Sequence, residues 1–260
     1  QGLFLPLELW ETVIFPSRLT AYRGELLDAL CASGEVIWTA RRESGADQVQ
    51  VAFFLAESRE LYVPVLRESA GRPVKHPELL DRLRDGGAAF LTKLAREFDR
   101  LPSELLSDLL DLVRDGHVSN DQFAPLRLAL TAKPAKTAKT AQTGAARGLP
   151  RTGSGQGRWY ALSDLLQDAD APQADVPQET SVMAWTRHLL DGFGVLAKET
   201  ADHWSPFGWD VLLPVLRQLE TMGIVTRGMF VRGVQTMQFV SRERVASLRR
   251  PPVEAGAEDD

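Results

Sequence analysis

Leu27-x-x-Leu30-x-x-x-Gly34-x-Val36, Leu109-x-x-Leu112-x-x-x-Gly116-x-Val118 and Leu216-x-x-Leu219-x-x-x-Gly223-x-Val225 are one pattern written three times in the 260-residue chain. Residue types at this spacing prescribe a local structure. Leucines three apart share a helical face, the glycine supplies the left-handed residue that stops the helix, and the valine opens a strand that returns to the same core. One unit is therefore helix, glycine stop, strand.

The flanks of the second and third copies extend the unit. Three amphipathic segments precede Gly116: Glu78–Leu83, Phe90–Phe98 and Pro102–Val113, the last with Pro at a first-turn position where its missing N–H costs nothing. Val182–Leu190, Val195–Ala201 and a helix from about Ser205–Pro206 to Thr221 precede Gly223, with Ser205 as the expected N-cap and Pro206 as the first helical residue. After each glycine the chain continues in strand-like runs, HVSNDQFAPLRLAL and IVTRGMFVRGVQTMQFV. Three helices and a β-hairpin make a winged-helix module, with the third helix as groove reader and the hairpin as wing. The first copy has the helix Gly24–Ala32 and the strands Glu35–Ala40 and Val49–Leu55. Only one helix, around Leu7–Ile14, fits ahead of it, so this module is expected to be either truncated at its front or completed by chain outside this sequence.

The fold class expected is α+β, built of tandem winged-helix modules. Its parts are a partial module at residues 1–66, a second at 67–131, a basic linker at 132–158, a strand with an acidic loop at 159–180, a third module at 181–250 and an acidic tail at 251–260. The linker carries Lys133, Lys136, Lys139, Arg147, Arg151 and Arg158 and no acid. Low apolar content makes it a tether, and whether it also tracks phosphates stays open. GRWYALSDLL, from Gly157, is a strand that pairs either with the second wing or with another module.

Composition excludes several classes. A single cysteine, Cys31, rules out an internal disulfide framework and a four-cysteine zinc site, and suits a reducing cytoplasm. No run of about 18 apolar residues occurs, so no membrane span is expected. The start at Gln1 and the acidic end suggest a piece of a longer protein. No phosphate-binding G-x-x-x-x-G-K-[ST] is present, so the chain carries no nucleotide cofactor site of its own. His76, His117, His188 and His203 lack ligand spacing. Cys31 is expected to be a packed thiol, and carboxylates such as Asp108 with Asp111 to lie on solvated helix faces.

Nucleic-acid contact is the better-supported activity. Trp204, Ser205 and Trp209 cluster where the third module's reading helix begins, where backbone N–H groups suit a phosphate and exposed aromatics suit unpaired bases. The other reading makes Phe207 and Trp209 a hydrophobic staple. Arg41 and Arg42 at the tip of the first hairpin, and Arg227 and Arg232 in the third, occupy wing positions where cations reach phosphates or merely add solubility. In the closing hairpin, alternation puts Met229 and Val231 on one face and Phe230 and Arg232 on the other. The second module's third helix carries Glu104, Asp108 and Asp111 and would repel phosphate, so that module is expected to be scaffold.

PSRLTAYRGELLDALCASGEVIW, FLTKLAREFDRLPSELLSDLLDLVRDGHVSNDQFAPLRLAL, GRW with LLDGFGVLAKE, and DVLLPVLRQLETMGIVTRGMFVRGVQTMQF resemble the C-terminal region of bacterial large helicase-related (Lhr) proteins. The resemblance covers most of residues 5–250 outside the linker. It implies an ATP-dependent superfamily 2 helicase that moves 3′ to 5′ on single-stranded DNA, unwinds duplexes, notably RNA:DNA hybrids, and serves DNA repair in the cytoplasm at the nucleoid; single-stranded or forked DNA is the partner expected for this region. Its motor domains, with ATP and magnesium, would precede this chain. The family's C-terminal extension is a tandem winged-helix array followed by a β-barrel, similar to AlkZ-type DNA glycosylases, and it can drive homo-oligomerisation.

Where the family's closing hairpin commonly has a further Arg, a Tyr and a second Gly, this chain has Thr226, Met229 and Gln235. Gln235 and Gln238 lie three apart, on opposite faces of a strand, so the Gln-x-Gln pair of AlkZ-type glycosylases does not carry over. Three readings follow: an accessory DNA-binding region, a protein–protein assembly module without nucleic-acid contact, and a glycosylase-related fragment.

Overall fold

Each repeat glycine stops its helix in the same way. Gly34, Gly116 and Gly223 have φ of +77°, +80° and +74°, and the residue after each donates its N–H to the carbonyl five back: Glu35 to Leu30, His117 to Leu112, Ile224 to Leu219. That is the Schellman closure, which satisfies carbonyls a helix end leaves bare. The computed structural model describes residues 1–42, 48–131, 157–166 and 178–248. The first hairpin's tip, nearly all of the basic linker, the acidic loop and the tail lie outside them. The chain divides into two units, Gln1–Asp175 and Val176–Asp260.

The first unit opens with β1 (Leu5–Pro6). A helix follows, from α1 (Leu7–Leu9) through a π-helical turn (Trp10–Ile14) to α2 (Phe15–Arg18), and then α3 (Gly24–Ala32), β2 (Val36–Arg42) and β3 (Val49–Leu55). The sheet is antiparallel in the order β1-β3-β2, with Val36 opposite Leu55 and Arg42 opposite Val49. One helical run precedes α3 among the described residues.

Next come α4 (Arg59–Ala70), which runs through the expected boundary at residues 66 and 67, α5 (Pro77–Gly86), β4 (Ala89–Phe90), α6 (Leu91–Glu97), α7 (Pro102–Arg114) and β5 (Val118–Asn120). α8 (Ala124–Thr131) then stands where a strand was expected from FAPLRLAL. The reason is tertiary: Asp28 of α3 accepts the N–H groups of Phe123 and Ala124 at 2.8 and 2.7 Å, capping a helix from outside it. The wing's second strand is instead β6 (Arg158–Ala161), which lies between β4 and β5 and is followed by a 3-10 turn (Leu162–Leu166). The basic segment is thus inserted within the second wing, and β6 belongs to the second sheet rather than to a separate segment at 159–180.

These two modules share one hydrophobic core. Phe123, at the entrance to α8, packs edge-on against Trp38 of β2 and Phe53 of β3, with centroids 5.3 and 5.0 Å away. The Trp38 indole donates to the Asn120 carbonyl and the Ser119 hydroxyl donates to the Trp38 carbonyl, both at 2.9 Å. The buried edge of β2 is thereby satisfied by the neighbouring module instead of by water.

The second unit repeats the plan: α9 (Gln178–Phe193), β7 (Val195–Leu196), α10 (Lys198–Trp204), α11 (Trp209–Thr221), β8 (Val225–Gly228), β9 (Gln238–Ser241) and α12 (Arg242–Leu248). Its sheet order, β7-β9-β8, matches that of the first module. α9 packs on α11, and Trp185, Leu189, Leu212, Leu216 and Phe239 are buried between helices and sheet.

Candidate nucleic-acid interface

The residue after the first leucine of each repeat lies on the reading helix, beside its core face, and the three modules use it differently. Leu110 on α7 is buried in the core shared by the first two modules. Asp28 on α3 caps α8 and binds Arg127, Oδ2 to Nη1 at 3.0 Å. Arg217 on α11 is exposed, and no ion pair or side-chain hydrogen bond engages its guanidinium among the described residues. At this repeat position only the third module turns a cation to solvent. Arg217 escaped the sequence reading; the signal was its offset of one from the repeat leucine.

The start of α11 differs from the expected cap. Its N-cap is Gly208, and the Trp209 N–H is taken by Asp202 of α10 at 2.9 Å. Ser205 is extended and its hydroxyl accepts the Phe207 N–H at 3.0 Å, so its oxygen closes a turn before the helix instead of capping it. Pro206 lies in that turn. Trp204 stacks on Phe193 with centroids 6.0 Å apart, and Trp209 lies 6.1 Å from Phe239 of β9. Both rings are half-buried: each is anchored in its module and keeps an accessible side.

The wing also corrects the alternation expected for it. β8 ends at Gly228, and residues 229–237 form an irregular loop in which Met229, Val231 and Met237 are all exposed. Gln238, fully buried, holds this loop through four hydrogen bonds: its Oε1 accepts from Phe230 and Val231, and its Nε2 donates to the carbonyls of Val231 and Val234. The Thr236 hydroxyl donates to Glu199 of α10 at 2.6 Å and holds that carboxyl below its usual range. On the wing, Arg232 is exposed and Arg227 pairs with Glu220 at 3.2 Å.

Arg41 and Arg42 are placed elsewhere. They end β2, ahead of the tip, and both are engaged. Arg41 donates to Gln50 at 3.1 Å and lies 4.2 Å over the Phe4 ring. Arg42 binds Asp115 at 2.9 Å and Asp111 at 3.1 Å on α7. Burial alone would raise Asp111, but hydrogen bonds from Arg114 and Arg42 and the charge of Lys75 hold it below its ordinary value. The acids of the second reading helix are thus partners for cations of their own unit. Cys31 is buried and its thiol is pushed up to about 12 by desolvation, and the described residues contain no group of three or more metal-ligating side chains.

The winged-helix domain of large helicase-related proteins matches residues 1–56, as the family's third such domain, and residues 175–260, as its fourth. The chain belongs to the large helicase-related family. The two Lhr matches bracket the second module and fall on the first and third repeats. A protein of Escherichia coli (strain K12) called Lhr helicase/uracil glycosylase is 30% identical over 270 residues, covering 95% of this chain. One of Mycolicibacterium smegmatis, called Lhr helicase/probable uracil glycosylase, is 30% identical over 265 residues, again 95% of the chain. The chain spans 17% of the length of each. No helix among the described residues is long and apolar enough to cross a membrane.

Proposed function

We propose that this Lhr region is an accessory DNA-binding part of a helicase whose ATP- and magnesium-dependent motor lies elsewhere in the longer protein, and that its contact face is the third module. The observation that carries this is Arg217, exposed on α11 where Asp28 and Leu110 are committed to packing. Arg232 and Arg227 on the wing extend the face, and the open sides of Trp204 and Trp209 offer stacking to unpaired bases. Ser205 lies in the turn between α10 and α11, where phosphate contact is its proposed role. Asp210 and Glu220 share this surface, so binding is weak and strongly salt-dependent, as few phosphates are neutralised.

The first unit is the scaffold in this reading, because Arg42 is neutralised by Asp111 and Asp115. That neutralisation also favours a second role, in assembly with the motor domains or with further copies. The substrates proposed for the whole protein are single-stranded or forked DNA and RNA:DNA hybrids in repair, with residence at the nucleoid. The base-excising activity in the relatives' names is theirs; here the Gln238 amide is fully occupied in holding the wing.

Fluorescence anisotropy with labelled single-stranded and forked DNA, at low and moderate salt, tests the proposal. The expected result is weak binding that falls with salt and falls further when Arg217 and Arg232 become alanine. No binding to either DNA, or an affinity indifferent to salt, would sink it.

A further inference from the structure

The wing of the third module turns apolar side chains to water and uses a buried amide to keep them there. Met229, Val231 and Met237 are exposed at 63, 46 and 46%. At the offsets of Met229 and Val231 from the repeat valine, the first hairpin has Ala40, buried at 1%, and Arg42, paired with Asp111 and Asp115. A slack apolar loop would fold its side chains back onto the module. This one is held from doing so. Gly228 ends β8 and the Phe230 ring folds over it, so close that a Cβ on the glycine would meet the ring's Cζ at 2.9 Å. Phe230 is therefore turned inward, while its smaller neighbours stay outside. Gln238 fixes the backbone of Phe230, Val231 and Val234, and Thr236 is tied to Glu199. Gly228 and Gln238 are the last register pair of the hairpin, and Met229 and Met237 are the next residues outward on its two arms.

We propose, resting on the DNA-binding reading of this module, that Met229, Val231 and Met237 form an apolar wedge that covers the bare face of the last base pair of a DNA duplex, where the strands part. Charge selects nucleic acid. Between Val225 and Ser241 the sequence has Arg227 and Arg232 and no acid. Glu220 and Glu199, which touch the wing, are engaged with Arg227 and Thr236. An apolar patch flanked by cations suits a flat apolar face bordered by phosphates, and a base pair with its two backbones is such a ligand. Energetics place the wedge at a duplex end rather than inside a duplex. Opening a stacked step carries an unstacking penalty that the few phosphate contacts of this module do not offset. The last pair already has one face bare, so covering it removes apolar surface from water on both partners with no stack to open. The wing is also ordered before it binds, so little freedom is lost on contact.

Two competitor DNAs of one sequence test the wedge by fluorescence anisotropy with the 260-residue chain: a blunt duplex, and the same duplex closed at both ends by thymine loops. Only the blunt duplex presents a bare pair face, and it is expected to bind about fivefold more tightly. Met229→Ser combined with Met237→Ser is expected to erase that difference, and Met229→Leu combined with Met237→Leu to keep it. Both sites are exposed, so the urea midpoint of the second unit is expected to stay put in either pair, which separates a lost preference from lost folding. Equal affinity of the native chain for the two duplexes, or a difference that survives the serine pair, would overturn the wedge and leave the module's DNA contact standing. No binding to either duplex or to single-stranded DNA would overturn both. Self-association of the DNA-free chain that the serine pair abolishes would also overturn the wedge, assigning the patch to a second copy.

Discussion

Gln238 holds Val231 by both ends of its amide, accepting the Val231 N–H at 2.7 Å and donating to the Val231 carbonyl at 3.1 Å. With Phe230 and Val234 also bound, every hydrogen-bonding position of the side chain is used. The wing keeps its shape through one buried amide, while its apolar side chains face water.

Gln238→Ala therefore strips the loop of its partner and leaves the N–H groups of Phe230 and Val231 unsatisfied. The expected loss is about 2–3 kcal/mol, read as a lower urea midpoint for the second unit. Faster proteolysis within 229–237 accompanies it. An unchanged midpoint would mean that the loop is held by something else.

Asp28→Ala uncaps α8 and deprives Arg127 of a carboxylate in a half-buried network with Glu11. The expected cost is about 2–4 kcal/mol, confined to the first unit. Two-step thermal unfolding should show the first unit's transition lowered and the other unmoved; a uniform shift would contradict the division into units.

His117 is buried against the Pro73 carbonyl, and desolvation lowers its pKa below 6.5. Its folded pKa is depressed, so the unfolded chain binds the proton more readily. The stability His117 allows is complete above pH 6.5 and declines as the pH falls below that value. Urea midpoints at pH 7.5 and 5.5 should differ less in His117→Gln than in the native chain; an equal difference would clear His117 of the effect.

Arg217→Ala and Arg232→Ala should each reduce the slope of log K against log salt by about one, the signature of one lost phosphate contact. Arg42→Ala should leave the slope alone and lower the stability of the first unit, because it uncouples β2 from Asp111 and Asp115. The opposite outcome would move the contact face to the first unit.

Parts of this structure were legible because they depend on local rules. A leucine pair, a glycine four residues on and a valine two later specify a helix, its stop and the return strand wherever they occur, and all three copies obey. Ser205 and FAPLRLAL were misread because the deciding partners are distant in sequence. Asp202 takes the Trp209 N–H where α11 actually begins, four residues past Ser205, and Asp28, some 95 residues away, makes a helix of an apparent strand. A propensity cannot anticipate a carboxylate delivered by another element.

The chain's own sequence determined three repeats, their winged-helix plan and the family they resemble, because periodicity and glycine stops act within a dozen residues. Tertiary structure alone decided which reading helix stays open. Asp28, Leu110 and Arg217 occupy one repeat position, and only the packing of α8 and the second module turned two of them inward and left the third as a cation in water.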